Sequence, residues 1–411
     1  MASDDITGPS ITGPSFDGGT GTNIAVLRKA AGLTQDQLAQ RANISKSLLS
    51  KVEIGDRSAS HALVAAVARA LHVPIERVHG QPFDAVEASA THAPIDQLRA
   101  VLRTYDLPPD EHARPRPLRA LGAELQAAAD LRRRGHYTRL GQHLPGLLRE
   151  LTAAALAATG DDRRTAFGLL VSGYYAAHGL AYRLGYGDLA ESIEHKLAWA
   201  ADHAEDPLAA ALADWTRVNS FQAAGDYDHG LQILDRARTD LTPGLQDGGP
   251  AASVLAGSMH LRAVTLASRA GDPGAVSEHL AAAHGLADEF GDDQVRYHLT
   301  FGPANIRIHA LAAHVELGQI DKAVELGAAF APPLSVPPTR VGHHYIDLAR
   351  AYLEAGDRSA TLRALQQARQ AAPEQTRYHP MVRETTRVLI SLHRRSNRDL
   401  TLLATWLGLT V

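Results

Sequence analysis

The amino-acid sequence predicts an all-α chain in two parts, a small five-helix N-terminal module followed by a long solenoid of helix pairs. Three observations predict it. Residues 33–57 read as two short helices joined by a tight turn. Beyond about residue 95, nearly every segment places its apolar residues at helical spacing. Turn glycines then recur after these stretches, at Gly135, Gly185, Gly225, Gly271, Gly318 and Gly356, with spacings of 50, 40, 46, 47 and 38 residues. That is the scale of a helix-pair repeat with loops of variable length.

Composition narrows the function classes. The 411 residues suffice for two or more hydrophobic cores. Cysteine is absent, which excludes disulfides and thiolate metal sites and is compatible with a reducing cytoplasm. The first residues show no basic segment followed by an apolar one, so no secretory leader is expected. No apolar run approaches the roughly 20 residues of a membrane helix. A soluble, cytoplasmic protein with no membrane partner is the expectation. The net charge of −4 is unevenly spread. Residues 23–80 carry eight Arg and Lys against four acids, a balance of +4, which leaves −8 elsewhere. Three of the five lysines (Lys29, Lys46, Lys51) fall in this one region. A basic module on an acidic body separates a nucleic-acid-binding part from the rest.

The elements follow in order. Residues 1–22 hold the direct repeat Ile-Thr-Gly-Pro-Ser at 6–10 and 11–15, then Gly18-Gly19-Thr20-Gly21. Such composition cannot bury enough apolar surface to order itself, so a flexible arm is expected. Residues 23–80 form the first domain. Its helix 1, about 23–31, turns Ile24 and Leu27 inward; Thr34 caps helix 2, with Leu38 and Ala39 inward. Asn43 sits in the turn, where a left-handed residue is needed. Ser45 caps helix 3, which buries Leu49 and Val52 and ends at Gly55. Helix 4, about 60–72, presents Leu63, Val67 and Leu71, and Pro74 opens a last short helix ending near Gly80. Residues 81–95 break into Pro, Ala, Ser and Thr, the composition of a linker, and 96–411 form the solenoid. Small residues one turn after several of the turn glycines (Ala190, Gly230, Ala323) permit close helix packing.

Residues 23–80 resemble the lambda-repressor-like helix-turn-helix module of the XRE family. The family pattern Leu-Arg-x-x-x-Gly-Leu-Thr-Gln stands here from Leu27-Arg28 to Thr34-Gln35, and Glu-x-Gly-x-Arg stands as Glu53-Ile54-Gly55-Asp56-Arg57. Asn43 departs from the usual glycine and Ala59 from a frequent proline. The glycine-turn-helix pattern of the second part resembles tetratricopeptide repeats longer than the usual form. Phe301-Gly302-Pro303-Ala304-Asn305 and Leu348-Ala349-Arg350-Ala351-Tyr352 look like the C-terminal domain that accompanies this module in actinobacterial regulators.

The resemblance implies a transcriptional regulator that binds double-stranded DNA in the major groove. Lys46, Ser47, Ser50 and Lys51 on helix 3 are the candidate base readers, since lysine donates to guanine O6 and N7 and serine serves either base. Gln35 and the backbone N–H groups at the start of helix 2, with Lys29 and Arg57 nearby, are the candidate phosphate contacts, and Ser45 is a further candidate DNA contact. Arg28 is expected to pair with Glu53 as a structural element. One module makes few contacts, so a homodimer on a near-palindromic operator is expected, with the solenoid supplying the dimer.

In tetratricopeptide repeats the first helix of each pair lines the concave side, at positions 13, 10, 6 and 3 before the turn glycine. Counting back selects Leu212, Trp215, Asn219 and Gln222 before Gly225, Tyr175 and Tyr182 before Gly185, and Ser258 and Thr265 before Gly271. It also selects Asn305 before Gly318, and His343 and Arg350 before Gly356. Aromatics among amides suit a peptide or polar small-molecule effector. The alternative is a DNA-tethered adaptor whose solenoid recruits another protein.

No cofactor, metal or catalysis is expected. None of the 21 histidines stands three or four residues from another, adjacent His343 and His344 face different sides, and Glu191–His195 reads as an exposed hydrogen-bonded pair. Phosphate-loop, nucleophile-elbow and His-Glu-x-x-His signatures are missing. A rival enzyme reading would show as a closed polar pocket with perturbed titratable groups.

Overall fold

The computed structural model describes residues 19–83, 89–107, 115–246, 249–392 and 397–409. The arm expected at 1–22 lies outside these up to residue 18, and the remainder is not arm. α1 (Thr20–Ala30) begins three residues earlier than apolar spacing suggests. Gly21 is the reason: a Cβ there would collide with the Val52 carbonyl, so only glycine lets α1 lie against the end of α3 (Lys46–Glu53). α2 (Gln35–Arg41) opens on a capping box, Thr34 Oγ1 accepting from the Gln37 amide at 3.2 Å while Gln37 Oε1 accepts from the Thr34 amide at 2.8 Å. Asn43 takes φ 53° in the turn, and Ser45 Oγ caps α3 through the Leu48 amide at 3.1 Å. α4 (His61–Leu71) and α5 (Ile75–His79) complete a core of Ile24, Leu38, Leu49, Val52, Leu63, Val67 and Val78.

The stretch 81–95 is less of a linker than its composition suggests. α6 (Ser89–His92) lies within it and α7 (Pro94–Arg103) begins at its end, and both pack on the solenoid. Six helix pairs then follow. They are α8 (Leu118–Arg134) with α9 (Tyr137–Ala157), α10 (Gly160–Leu184) with α11 (Gly187–Ala204), and α12 (Pro207–Ala224) with α13 (Tyr227–Asp240). After the short α14 (Thr242–Gln246) come α15 (Pro250–Ala270) with α16 (Pro273–Ala287), α17 (Pro303–Glu316) with α18 (Ile320–Ala328), and α19 (Pro338–Glu354) with α20 (Arg358–Ala371). The six turn glycines all have φ between 69 and 84°, the left-handed conformation that ends a helix and turns the chain back. Gly230 admits its neighbour closely, since a Cβ would stand 2.8 Å from Leu266 Cδ1. α21 (Pro373–Tyr378), α22 (Pro380–Leu392) and α23 (Arg398–Leu407) close the chain. Among the described residues no helix is long and apolar enough to cross a membrane.

Two features have no counterpart in the sequence pattern. The first helices of the pairs (α8, α10, α12, α15, α17, α19) contact one another in turn, and α19 returns to α8, so the solenoid closes into a ring. Thr339 Oγ1 donates to the Arg133 carbonyl at 2.9 Å across the closure, and Tyr378 donates to Thr91 at 3.2 Å. A two-stranded hairpin also interrupts the helices. β1 (Gln294–Arg296) and β2 (Leu299–Phe301) pair antiparallel, with Arg296 opposite Leu299. Their two-residue turn puts Tyr297 at φ 45° and His298 at φ 66°, a conformation that costs non-glycine residues energy.

The helix-turn-helix domain docks over the end of the ring where the inner helices finish. Arg69 Nη1 donates to the carbonyls of Ala224 and Gly225 at 3.2 and 3.0 Å, satisfying acceptors left open at the end of α12. His61 meets Glu316 at the end of α17 (2.9 Å), and Ser58 meets Glu354 at the end of α19 (3.0 Å). The Ala59 amide donates to Glu384 of α22 at 3.3 Å. The core of the domain nonetheless remains its own cluster. Leu49→Ala is therefore expected to cost about 2–5 kcal/mol by cavity formation. A calorimetric scan should show the loss as an earlier melting step, with the solenoid step less affected.

Candidate functional site

Two surfaces could carry function. On the outward side of the helix-turn-helix domain, Lys29, Ser45, Lys46, Ser47 and Lys51 are exposed and Ser50 is half-buried. Lys46 Nζ lies 2.8 Å from Asp36, but both are well exposed, so the pair is readily exchanged for another anion. Behind this face, Arg28 Nε and Nη2 grip Glu53 at 2.7 and 2.9 Å, and Arg28 Nη1 donates to the Leu33 carbonyl at 2.8 Å. Burial pushes the Glu53 carboxyl up, but hydrogen bonds from Arg28 and Gln35 outweigh it and hold it low.

Two expected phosphate contacts differ. The Gln35 amide donates inward to Glu53 at 2.7 Å, which leaves its backbone N–H at the start of α2 as the group facing out. Arg57 reaches Glu354 of the solenoid at 3.5 Å, because docking brings a carboxylate to it.

The second surface is a cavity of about 340 Å³ inside the ring. All eight residues selected by counting back from the turn glycines (Tyr175, Tyr182, Trp215, Asn219, Gln222, Asn305, His343 and Arg350) line it, as do Ser258 and Thr265. Ring closure brings them together from five helices. Leu212, the other position selected before Gly225, is fully buried. One wall comes from the helix-turn-helix side: His61, Ile75, Glu76, His79 and Gln81.

The geometry gives the amides a different job from the one expected. Asn219 Oδ1 and Gln222 Oε1 accept from Arg262 Nη1 at 2.8 and 3.3 Å, and the Arg262 guanidinium lies 4.0 Å above the Trp215 ring. Asn305 Oδ1 accepts from Arg340 Nε at 2.7 Å. They hold arginines in place. Trp215 donates to the Ser258 carbonyl at 3.1 Å, and Tyr175 stacks on His298 with ring centres 5.5 Å apart. Arg350 is committed to Glu316 at 2.7 Å and Asp347 at 3.0 Å. His343 stands edge-on to His379, while His344 turns away and is fully buried. His195 bonds the Glu191 backbone carbonyl at 3.0 Å, not its carboxylate. Among the described residues no group of three or more His, Cys, Asp or Glu is placed to hold a metal ion.

Sequence reasoning missed the cationic character of the cavity. Seven arginines line it (132, 133, 183, 262, 269, 340, 350) against three carboxylates, Glu76, Glu316 and Asp347. Arg262 stands nine residues before Gly271, one off the sampled register, which is why counting back passed over it. Three of the lining histidines are kept neutral. Burial first, and neighbouring arginines after it, push His298 down to about 3 and hold His309 and His343 well below their usual value.

Residues 21–80 match the family described as "Helix-turn-helix domain". No curated protein matches the chain. Among solved structures, BtubC (BKLC) from P. vanneervenii is 14% identical with a TM-score of 0.35, the match covering 69% of this chain and 97% of that one. Bacillus thuringiensis PlcR, solved in complex with the peptide PapR7 and DNA, is 14% identical with a TM-score of 0.27, covering 66% of this chain and 94% of that one. Neither superposition is close enough to speak for what this chain does. The chain carries a helix-turn-helix domain followed by an all-α solenoid.

The docked domain should be sensitive to pH. Burial lowers His61 to about 4 and His79 to about 3, with Arg269 adding to both. Away from the solenoid the His61 ring would titrate near 6.5, so the undocked state binds more protons below that value. Docking is then fully stabilised above about pH 6.5 and weakens as pH falls toward 4, by about 3 kcal/mol at most through His61. Hydrogen exchange across Ser58–Gln81 should stay slow at pH 8 and accelerate, beyond its intrinsic pH dependence, near pH 5.

Proposed function

We propose that the chain is a cytoplasmic transcriptional regulator of the XRE type, with residues 23–80 binding DNA, 81–95 as the link and 96–411 sensing an effector and supplying a homodimer. The observation that carries this reading is the shared wall. Side chains of α4 and α5 line the same cavity as the residues selected as effector contacts. An occupant there touches the DNA-binding domain itself, so its binding energy bears directly on how that domain is held.

Lys46, Ser47, Ser50 and Lys51 read base edges from the major groove on this account. Lys29 and the backbone around Gln35 and Ser45 hold phosphates. Arg57 changes partner from Glu354 to phosphate when the domain engages DNA. Two such modules on a near-palindromic operator give a specific complex.

The closed ring favours a small effector over the adaptor reading, because the inner face that would hold a recruited protein is enclosed and covered by the docked domain. The cavity is lined by charged side chains and several of its titratable groups are perturbed, as an enzyme's would be. His61 and His298, however, are pushed to about 4 and about 3, where they are weak bases at neutral pH, whereas a general base works best near the operating pH. That supports a receptor.

Binding to a library of DNA sites tests the first half. Lys46→Ala or Lys51→Ala is expected to cost about 1–3 kcal/mol at the specific site and to relax base preference. Lys29→Ala should weaken all sequences alike and lower the salt slope by about one unit at most. Helix 3 variants with unaltered preference would remove the assignment of α3 as the reader.

A further inference from the structure

We infer that the cavity takes a small anion, carboxylate- or phosphate-bearing, clamped between Arg262 of α15 and Arg340 of α19 beside the Trp215 ring. This rests on the reading of the cavity as an effector site and names the chemistry of its ligand.

The charge balance inside the ring is incomplete. Glu316 and Asp347 are already taken by Arg350. Glu76 forms no ion pair among the described residues and is pushed up by burial. Asp293, which with Asp347 attracts Arg340, is held by the Ala304 and Asn305 backbone amides. Among the described residues, Arg183, Arg262, Arg269 and Arg340 form no ion pair. Bringing a guanidinium in from water without a counter-charge is costly. Here the cost is concentrated, since the arginines also repel one another: burial, then Arg183 and Arg262 among its neighbours, push Arg340 down to about 10.

Helix dipoles account for part of the cluster and not the rest. Arg183 and Arg269 stand in the last turns of α10 and α15, where open carbonyls favour a cation. Arg262 is in the middle of α15. Arg340 is in the first turn of α19, the end where a cation is disfavoured. Neutral amides orient both, and each guanidinium has five N–H donors, of which Arg262 spends one nitrogen on Asn219 and Gln222 and Arg340 spends Nε on Asn305.

Arg269 Nε is buried with no acceptor, as is Nε2 of His343. A carboxylate or phosphate satisfies such donors two at a time, in the fork geometry of guanidinium. The volume, about 340 Å³, suits a drug-sized ligand, and the rings of Trp215, Tyr175 and Tyr182, each with an arginine over it, border the rest of it.

The full chain is titrated calorimetrically with pyrophosphate and with citrate, against sodium chloride at equal ionic strength. Saturable binding of one probe, one per chain, is expected, and the probe that binds identifies the phosphate or the carboxylate source. Arg262→Gln and Arg340→Gln should each weaken it by about tenfold or more. The ligand-free variants should melt no lower than wild type, since each loses a repelled charge, whereas arginines with a purely structural role predict a lower melt. Probes that bind no better than chloride, variants that bind like wild type, or variants that melt lower overturn the proposal. DNA affinity is read on the same samples. Anion binding that leaves it unchanged supports the anion site and overturns the coupling to DNA. Intact DNA binding with no anion binding overturns the anion site alone.

Discussion

A carboxylate withdrawn from water has to be compensated where it stands, and Glu316, the last residue of α17, is met from two directions, by a charge and by a hydrogen bond. Arg350 pairs with it from α19 within the ring at 2.7 Å, and the uncharged His61 ring hydrogen-bonds it from the helix-turn-helix domain at 2.9 Å. Arg350 foremost, with His61 and Arg269, holds the carboxyl well below its usual range against the opposing effect of burial. Its second oxygen has no partner, so the group has little acceptor capacity met elsewhere. Lifting the domain off the ring removes one of its two partners. The position of the helix-turn-helix domain is thereby tied to a charge inside the ring, in direct contact with the cavity wall.

Closure of the ring does the rest. An open solenoid would present Tyr175, Trp215 and Arg340 on a groove in contact with water, where unpaired arginines cost little. Once α19 meets α8 and the helix-turn-helix domain covers the end, the same side chains surround an enclosed volume and the uncompensated charge becomes consequential. The hairpin adds to this, since Arg132 donates to the His298 carbonyl at 2.8 Å and His298 presses on Tyr175. A turn held at unfavourable dihedrals beside such a cavity belongs with features that proteins keep for function at some cost in stability.

The sequence made the first domain legible almost residue by residue because its signals are local. Thr34, Asn43, Ser45 and Gly55 act within three or four positions of themselves, and helical period alone places Leu49 and Val52 inside. The same locality explains the cavity: counting back from Gly225 finds Trp215, Asn219 and Gln222 because one helix face faces inward over its whole length. What was not legible depends on distant partners. Arg57 and Glu354 lie far apart in the chain, as do His61 and Glu316, and no pattern within either segment announces the other. Gln35 was read as a phosphate contact because its nearest neighbours leave it free; Glu53, a helix away, does not. The hairpin escaped for a simpler reason, its strands being three residues each and its turn lacking glycine.

The helix-turn-helix domain is held as a wall of the cavity, and its position should respond to what happens there. The absence of cysteine makes a distance measurement clean, with spin labels on Cys substituted at the exposed Gln40 of α2 and Glu278 of α16. The account predicts a single narrow distance distribution for the free protein at pH 8, broadening when Glu316→Gln removes the shared charge. A broad distribution at pH 8, or a narrow one indifferent to that substitution, would contradict it.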